Sequence, residues 1–148
     1  MVNVGLESNM ECIAALNKDQ KSAFIQAFVR LAHADGNVDE AERKYIRGLA
    51  GAYGLTEDDK DEILSIKDDD SVIEAVKKIT SKRAALELIK EMCVLAHADE
   101  TLTDDETLFI GKVGQAMGVS LDKIEQISSW VIDRIIWLQE GKLIFEDA

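Results

Sequence analysis

Apolar residues recur along this chain at helical spacing, in stretches separated by short, strongly polar turns. Over residues 19–34, Phe24, Ala27, Phe28 and Leu31 share one face, and Ile25, Val29 and Ala32 widen it. A stripe that wide must be covered on more than one side. Gly36 then offers a left-handed stop. Asp39 stands where a cap would open the next helix, with Glu42 three residues on as its reciprocal partner. Ile46, Leu49, Ala50 and Tyr53 form that helix's inner face, and Gly54 ends it. Thr56 caps a short acidic helix, EDDKDEILSIK, expected to bury Ile63 and Ile66, and a turn at residues 68–71 leads into VIEAVKKI.

The pattern restarts near Ser81. Ala85, Leu88, Met92 and Leu95 mark one face, with Ile89, Cys93 and Ala96 beside it. Thr103 and Glu106 have the spacing of a capping box; Phe109, Ile110, Val113 and Met117 follow, and Gly118 is the stop. A last long helix over about residues 120–140 carries Leu121, Ile124, Ile127, Val131, Ile135 and Leu138. No segment alternates with period two for long enough to make a strand. About seven helices result, and the expectation is an all-α fold in one compact domain spanning residues 1–148.

Shifting the chain against itself so that Asp35 falls on Asp99 lays LAHADGNVDEAERKYI over LAHADETLTDDETLFI. Between residues 31–58 and 95–122, ten of 28 positions are identical, including the histidine, the loop aspartate, the glutamate at the third helical position and the stop glycine. Because helix stops, caps and inner faces coincide, the match is architectural. Two copies make a duplicated domain, with repeats at about 19–58 and 82–122, since a solenoid needs more. A pseudo-twofold arrangement of the two acidic loops is expected.

Composition narrows the function classes. Proline is absent, and a hydrophobic content of 47% against 31% charged fits a folded globule and not a disordered chain. The net charge of −12 argues against nucleic acid or anionic membrane as a partner, since both reward clustered Lys and Arg. No stretch of about 18 apolar residues is present, so direct membrane insertion is not expected. The opening segment MVNVGLESNMECIAAL lacks a basic, then apolar, leader pattern, and Cys12 and Cys93 are the sole thiols. Reduced cysteines and a cytoplasmic location are therefore expected.

The loops carry the candidate chemistry. Asp35 and Asp99 end a helix in each copy, Glu42 and Glu106 follow seven residues later, and Asp39 lies between in the first copy. Converging carboxylates are what a hard divalent cation requires, so Asp35, Asp39, Glu42, Asp99 and Glu106 are the candidate ligands, for Ca²⁺ or Mg²⁺ before Zn²⁺. The EF-hand template fails: its sixth position, Gly, is Glu40 here, and its twelfth, an acid, is Ile46. Capping alone explains Glu42 and Glu106, at about 0.5–2 kcal/mol per cap. It does not explain Asp35 and Asp99, which face the negative end of a helix dipole unless they reach forward or hold a cation.

His33 and His97 match between the copies, and Cys93 precedes His97 by one turn. Val29 replaces the cysteine in the first copy, and a zinc site needs three or four ligands, so partly buried histidines bonded to a carbonyl or carboxylate are expected. No phosphate loop, nucleophile elbow or dinucleotide fingerprint occurs, and the chain is read as a non-enzyme. Residues 57–70 carry eight acids and two lysines, and Lys77, Lys78, Lys82 and Arg83 follow. Local charge pairing explains both, while a docking surface for a basic partner is the sharper reading. Trp130 and Trp137 lie seven apart, with Leu143, Ile144 and Phe145 beyond. Core packing is the default there, and a homodimer or partner interface the alternative.

These residues resemble the TerB family of tellurite-resistance and TerB-like proteins. The likeness rests on Ala34-Asp35-Gly36-x-Val38-x-x-x-Glu42 and its second copy, Ala98-Asp99-x-x-Leu102-x-x-x-Glu106, over about residues 24–119. It implies a bacterial all-α protein linked to tellurite or metal stress, with Asp35, Glu42, Asp99 and Glu106 as metal ligands. It also implies protein partners, including membrane-associated complexes reached through other proteins. Glu100 departs from the pattern where the first copy has Gly36. A metal-independent interaction module, docking through the acidic helix or the apolar C-terminus, is the alternative.

Overall fold

The computed structural model describes residues 14–32, 40–65, 68–98 and 103–146. Among them are seven helices and no strand: α1 Lys18–Ala32, α2 Glu40–Ala52, α3 Glu57–Ser65, α4 Asp69–Val76, α5 Lys82–Ala98, α6 Asp104–Ala116 and α7 Leu121–Glu146. The fold is all-α.

The duplication is written into the helix boundaries. The shift that lays Asp35 on Asp99 also lays the first residues of α1, α2 and α3 on those of α5, α6 and α7: Lys18 on Lys82, Glu40 on Asp104, Glu57 on Leu121. The turns that end α2 and α6 are made the same way. Gly54 and Gly118 have φ of 82° and 81°, a conformation that costs an ordinary residue about 1–2 kcal/mol. The next amide reaches back five residues, Leu55 N to Ala50 O at 3.1 Å and Val119 N to Gly114 O at 2.8 Å. This is the Schellman arrangement, which satisfies carbonyls that a helix end leaves open. Leu55 and Val119 are both buried beneath it. Thr56 and Ser120 then cap the following helices, each hydroxyl accepting from the amide three residues on at 3.2 Å.

Packing follows the same scheme. In each repeat the first helix packs on the second and third, and α1 packs directly on α5. The connector α4 breaks the symmetry by packing on α1 and α6. Phe24, Ile25, Leu88, Ile89 and Met92 are almost wholly buried along the α1–α5 seam. Tyr53 meets Phe24 edge to face, with ring centroids 5.8 Å apart. At the far end of α1, Arg30 pairs with Asp69 of α4 and lies 5.4 Å from the Phe109 ring of α6. One guanidinium thus ties the first repeat, the connector and the second repeat together.

Three expectations need correction. α4 begins at Asp69, not Val72, because the Asp68 carboxylate accepts from the Asp70 amide at 3.0 Å and caps the helix earlier. α7 continues to Glu146 instead of ending near residue 140. Gly141 lowers helix propensity by about 1 kcal/mol, but no proline follows to stop the helix. Leu121, expected on α7's inner face, is 52% exposed in its first turn, and the inner face begins at Ile124. In α3, Ile63 and Leu64 are buried, while Ile66 lies outside the described residues.

Candidate functional site

The two acidic loops connect α1 to α2 and α5 to α6, so each runs from a helix C-terminus to the N-terminus of the next helix. Asp35, Asp39 and Asp99 lie outside the described residues, as does His33. Glu42 is the third residue of α2, and its side chain also lies outside them.

Glu106 is placed. It is the third residue of α6, and the capping box expected there is complete: Thr103 Oγ1 accepts from the Glu106 amide, and Glu106 Oε1 accepts from the Thr103 amide, both at 3.1 Å. One carboxylate oxygen is therefore committed to holding the start of α6. The same box fixes the exit of the second loop, so any ligand role for Glu106 is exercised from a fixed position.

Beside the loop lies a small polar cluster. His97, in the last turn of α5, has Nε2 3.3 Å from the Ser128 hydroxyl of α7, and the Cys93 thiol one turn earlier bonds the same serine. Burial lowers the His97 pKa from its ordinary value, and the Glu106 charge partly offsets this. Burial pushes the Cys93 thiol up to about 11, against the smaller effect of its bond to Ser128. A thiol held protonated at neutral pH is neither a ready nucleophile nor a ready ligand. The expected histidine partner was a carbonyl or carboxylate; the structure gives a serine hydroxyl. Among the described residues no group of three or more His, Cys, Asp and Glu side chains is arranged to hold a metal.

The acidic run is largely engaged within the chain. Arg47 of α2 bonds Asp61 at 2.6 Å and Glu57 at 3.3 Å, Lys60 bonds Glu57 at 2.9 Å, Lys18 reaches Asp59 at 3.3 Å, and Arg30 takes Asp69. In the basic cluster, Lys77 bonds Glu74 at 2.8 Å and Arg83 bonds Glu87 at 2.9 Å. Local pairing thus takes up Glu57, Asp59, Asp61 and Asp69 of the acidic run and Lys77 and Arg83 of the basic cluster.

Two features escaped the sequence. Glu87 and Lys90 are both buried on α5, with Lys90 Nζ 2.8 Å from Glu87 Oε2. Their i, i+3 spacing between apolar neighbours was the available signal. The second is the outer face of α7. Trp130 and Trp137, read by default as core, are 44% and 64% exposed, and Leu143, Ile144 and Phe145 are 64–80% exposed. Their default reading is overturned: both tryptophans face outward, while Val131 and Ile135 between them turn to the core. No helix among the described residues is long and apolar enough to cross a membrane.

Comparison with known proteins gives one result. The sequence profile described as Tellurite resistance protein TerB matches two overlapping segments, residues 4–65 and 60–129. No curated protein and no solved structure shows significant similarity to the chain. The two segments divide the chain near the connector, in keeping with the repeat of its helices. With most of its length matched in this way, the chain belongs to the TerB family.

Proposed function

We propose that this protein is a non-enzymatic, cation-binding member of the TerB family, serving a tellurite or metal-stress response. The observation that carries the reading is the repeated frame: equivalent helices, starting at matching positions of the two repeats, flank an acidic segment in each. Asp35 and Asp99 are the residues that capping does not account for, and Asp39, Glu42 and Glu106 are the supporting carboxylates. The donors in these loops are oxygens, which favours Ca²⁺ or Mg²⁺. Val29 stands in the first copy where the second has Cys93, so the repeat does not supply a thiol to both histidines for a zinc centre.

If the reading is right, a heteronuclear NMR titration with Ca²⁺ or Mg²⁺ shifts the amides of residues 33–42 and 99–106 and leaves the α4 amides in place. Shifts scattered over the acidic surface of α3, with none in the loops, would show mere charge screening and defeat it.

A metal-independent docking module remains the second reading, and one observation favours it: the exposed apolar end of α7. Docking through the acidic helix α3 is weaker, because Arg47, Lys18 and Lys60 already take up Glu57, Asp59 and Asp61.

A further inference from the structure

α7 runs alongside α5 in the same direction. Ile124 packs near Ile89 and Gly114, and Ser128 meets Cys93 and His97, close to the end of α5 at Ala98. Beyond Ser128 the helix continues to Glu146, roughly 27 Å at 1.5 Å per residue. Val131 is fully buried and Ile135 still packs against the core, but Ile136, Trp137, Leu143, Ile144 and Phe145 are exposed.

Trp130, Arg134, Trp137, Gly141 and Ile144 follow one another at spacings of four, three, four and three residues, the spacing of a helix-pairing stripe. An open groove runs along this stripe. Of the exposed apolar side chains here, Trp130, Trp137, Ile144 and Phe145 line the groove, and their exposed area sums to roughly 550 Å², the larger part of the roughly 800 Å² each partner contributes to a standard stable interface. It stands at the upper end of the roughly 300–600 Å² patch that a monomer ordinarily leaves in water.

We propose that this half of α7 is a self-association face covered by a second copy of this chain in an antiparallel, twofold pair. Three observations point to a second copy. The apolar area on offer, rimmed by charged side chains, suits the centre of one side of a stable dimer interface. The charged side chains along the groove, Asp133, Arg134, Glu140 and Lys142, cancel, although the chain carries −12 overall. Two such acidic chains can approach only through a locally neutral face, and a basic partner would gain nothing there. The stripe also holds a knob and a notch one turn apart, Trp137 and Gly141, which an isologous contact requires. Pairing about Gln139 seats each Trp137 over the partner's Gly141.

The glycine fits this role. A Cβ at Gly141 would meet nothing within 4 Å, so the protomer's own packing does not demand glycine. Within a helix it costs about 1 kcal/mol relative to alanine.

Sedimentation velocity on the full chain across a concentration series, to about 200 µM, tests the proposal. A reversible monomer–dimer equilibrium is expected, weakened by about tenfold or more in Gly141→Leu, which fills the notch without a clash inside the protomer. The thermal midpoint of Gly141→Leu should be unchanged or raised at protein concentrations where both chains are monomeric, separating lost pairing from lost folding. Trp137→Glu should abolish the dimer. A wild-type chain that is monomeric throughout would overturn the proposal, leaving the face to residues 1–13 or to a different protein. A dimer indifferent to both substitutions would overturn it too, since another surface would then be responsible.

Discussion

His97 shows how one side chain links the fold to the candidate loop. It closes α5 two residues before Asp99, and its ring nitrogen rests on Ser128 of α7. Burial depresses its pKa below the usual 6.5, so in the folded chain it stays neutral to lower pH than in the unfolded one. Between those two values the unfolded state binds more protons, and stability falls as pH falls; above about 6.5 the histidine contributes no slope. An NMR titration should place the His97 midpoint below 6.5, and His97→Gln should flatten the pH dependence of unfolding just below pH 6.5. A midpoint at or above 6.5 would mean that Glu106 outweighs burial. The sequence showed that His97 matches His33, but not its partner, because Ser128 lies far along the chain on a helix whose direction the pattern did not reveal. Likewise, no motif singled out Glu87 and Lys90, and both are buried.

At the scale of helices, the sequence was legible wherever local chemistry decides. Thr103 with Glu106, Gly54 with Leu55, and Gly118 with Val119 announce their turns through near neighbours alone, and all of them form. Failures came where the decision is not local. α7 outruns its expected end because nothing in residues 141–146 stops it, and its tryptophans lie outward because Val131 and Ile135 take its core-facing side. The two repeats also differ where their neighbours differ. Ala50 in the first copy corresponds to Gly114 in the second, and Lys60 corresponds to Ile124. A Cβ at Gly114 would collide with the end of the Ile124 side chain and crowd Ile89. Gly114→Ala should therefore destabilise the chain by about 1 kcal/mol, overpacking outweighing the gain in helix propensity. Adding Ile124→Val should recover stability instead of losing more, a coupling that urea denaturation of the four-member cycle would read. Additive losses would place the strain elsewhere.

For the molecule as a whole, duplication is the feature the sequence displayed most clearly, since ten identities at a fixed offset need no knowledge of packing. What it could not display was the asymmetry. The connector α4 joins α1 to α6, and Arg30 adds its charge to Asp69 and its plane to Phe109 at that junction. The surface charge is also more internally used than a count of eight acids in residues 57–70 suggests. Asp35 and Asp99, one in each repeat, are the loop acids whose spacing capping does not explain, and the proposed function stands on them. Calorimetric titration of the whole chain with Ca²⁺, Mg²⁺ and Zn²⁺, set beside the Asp35→Ala/Asp99→Ala double variant, is the most direct test. The account predicts heat of binding with Ca²⁺ or Mg²⁺ that disappears in the double variant while its helix content is unchanged. No heat from any of the three at about millimolar concentration, or equal heat from the double variant, would contradict it.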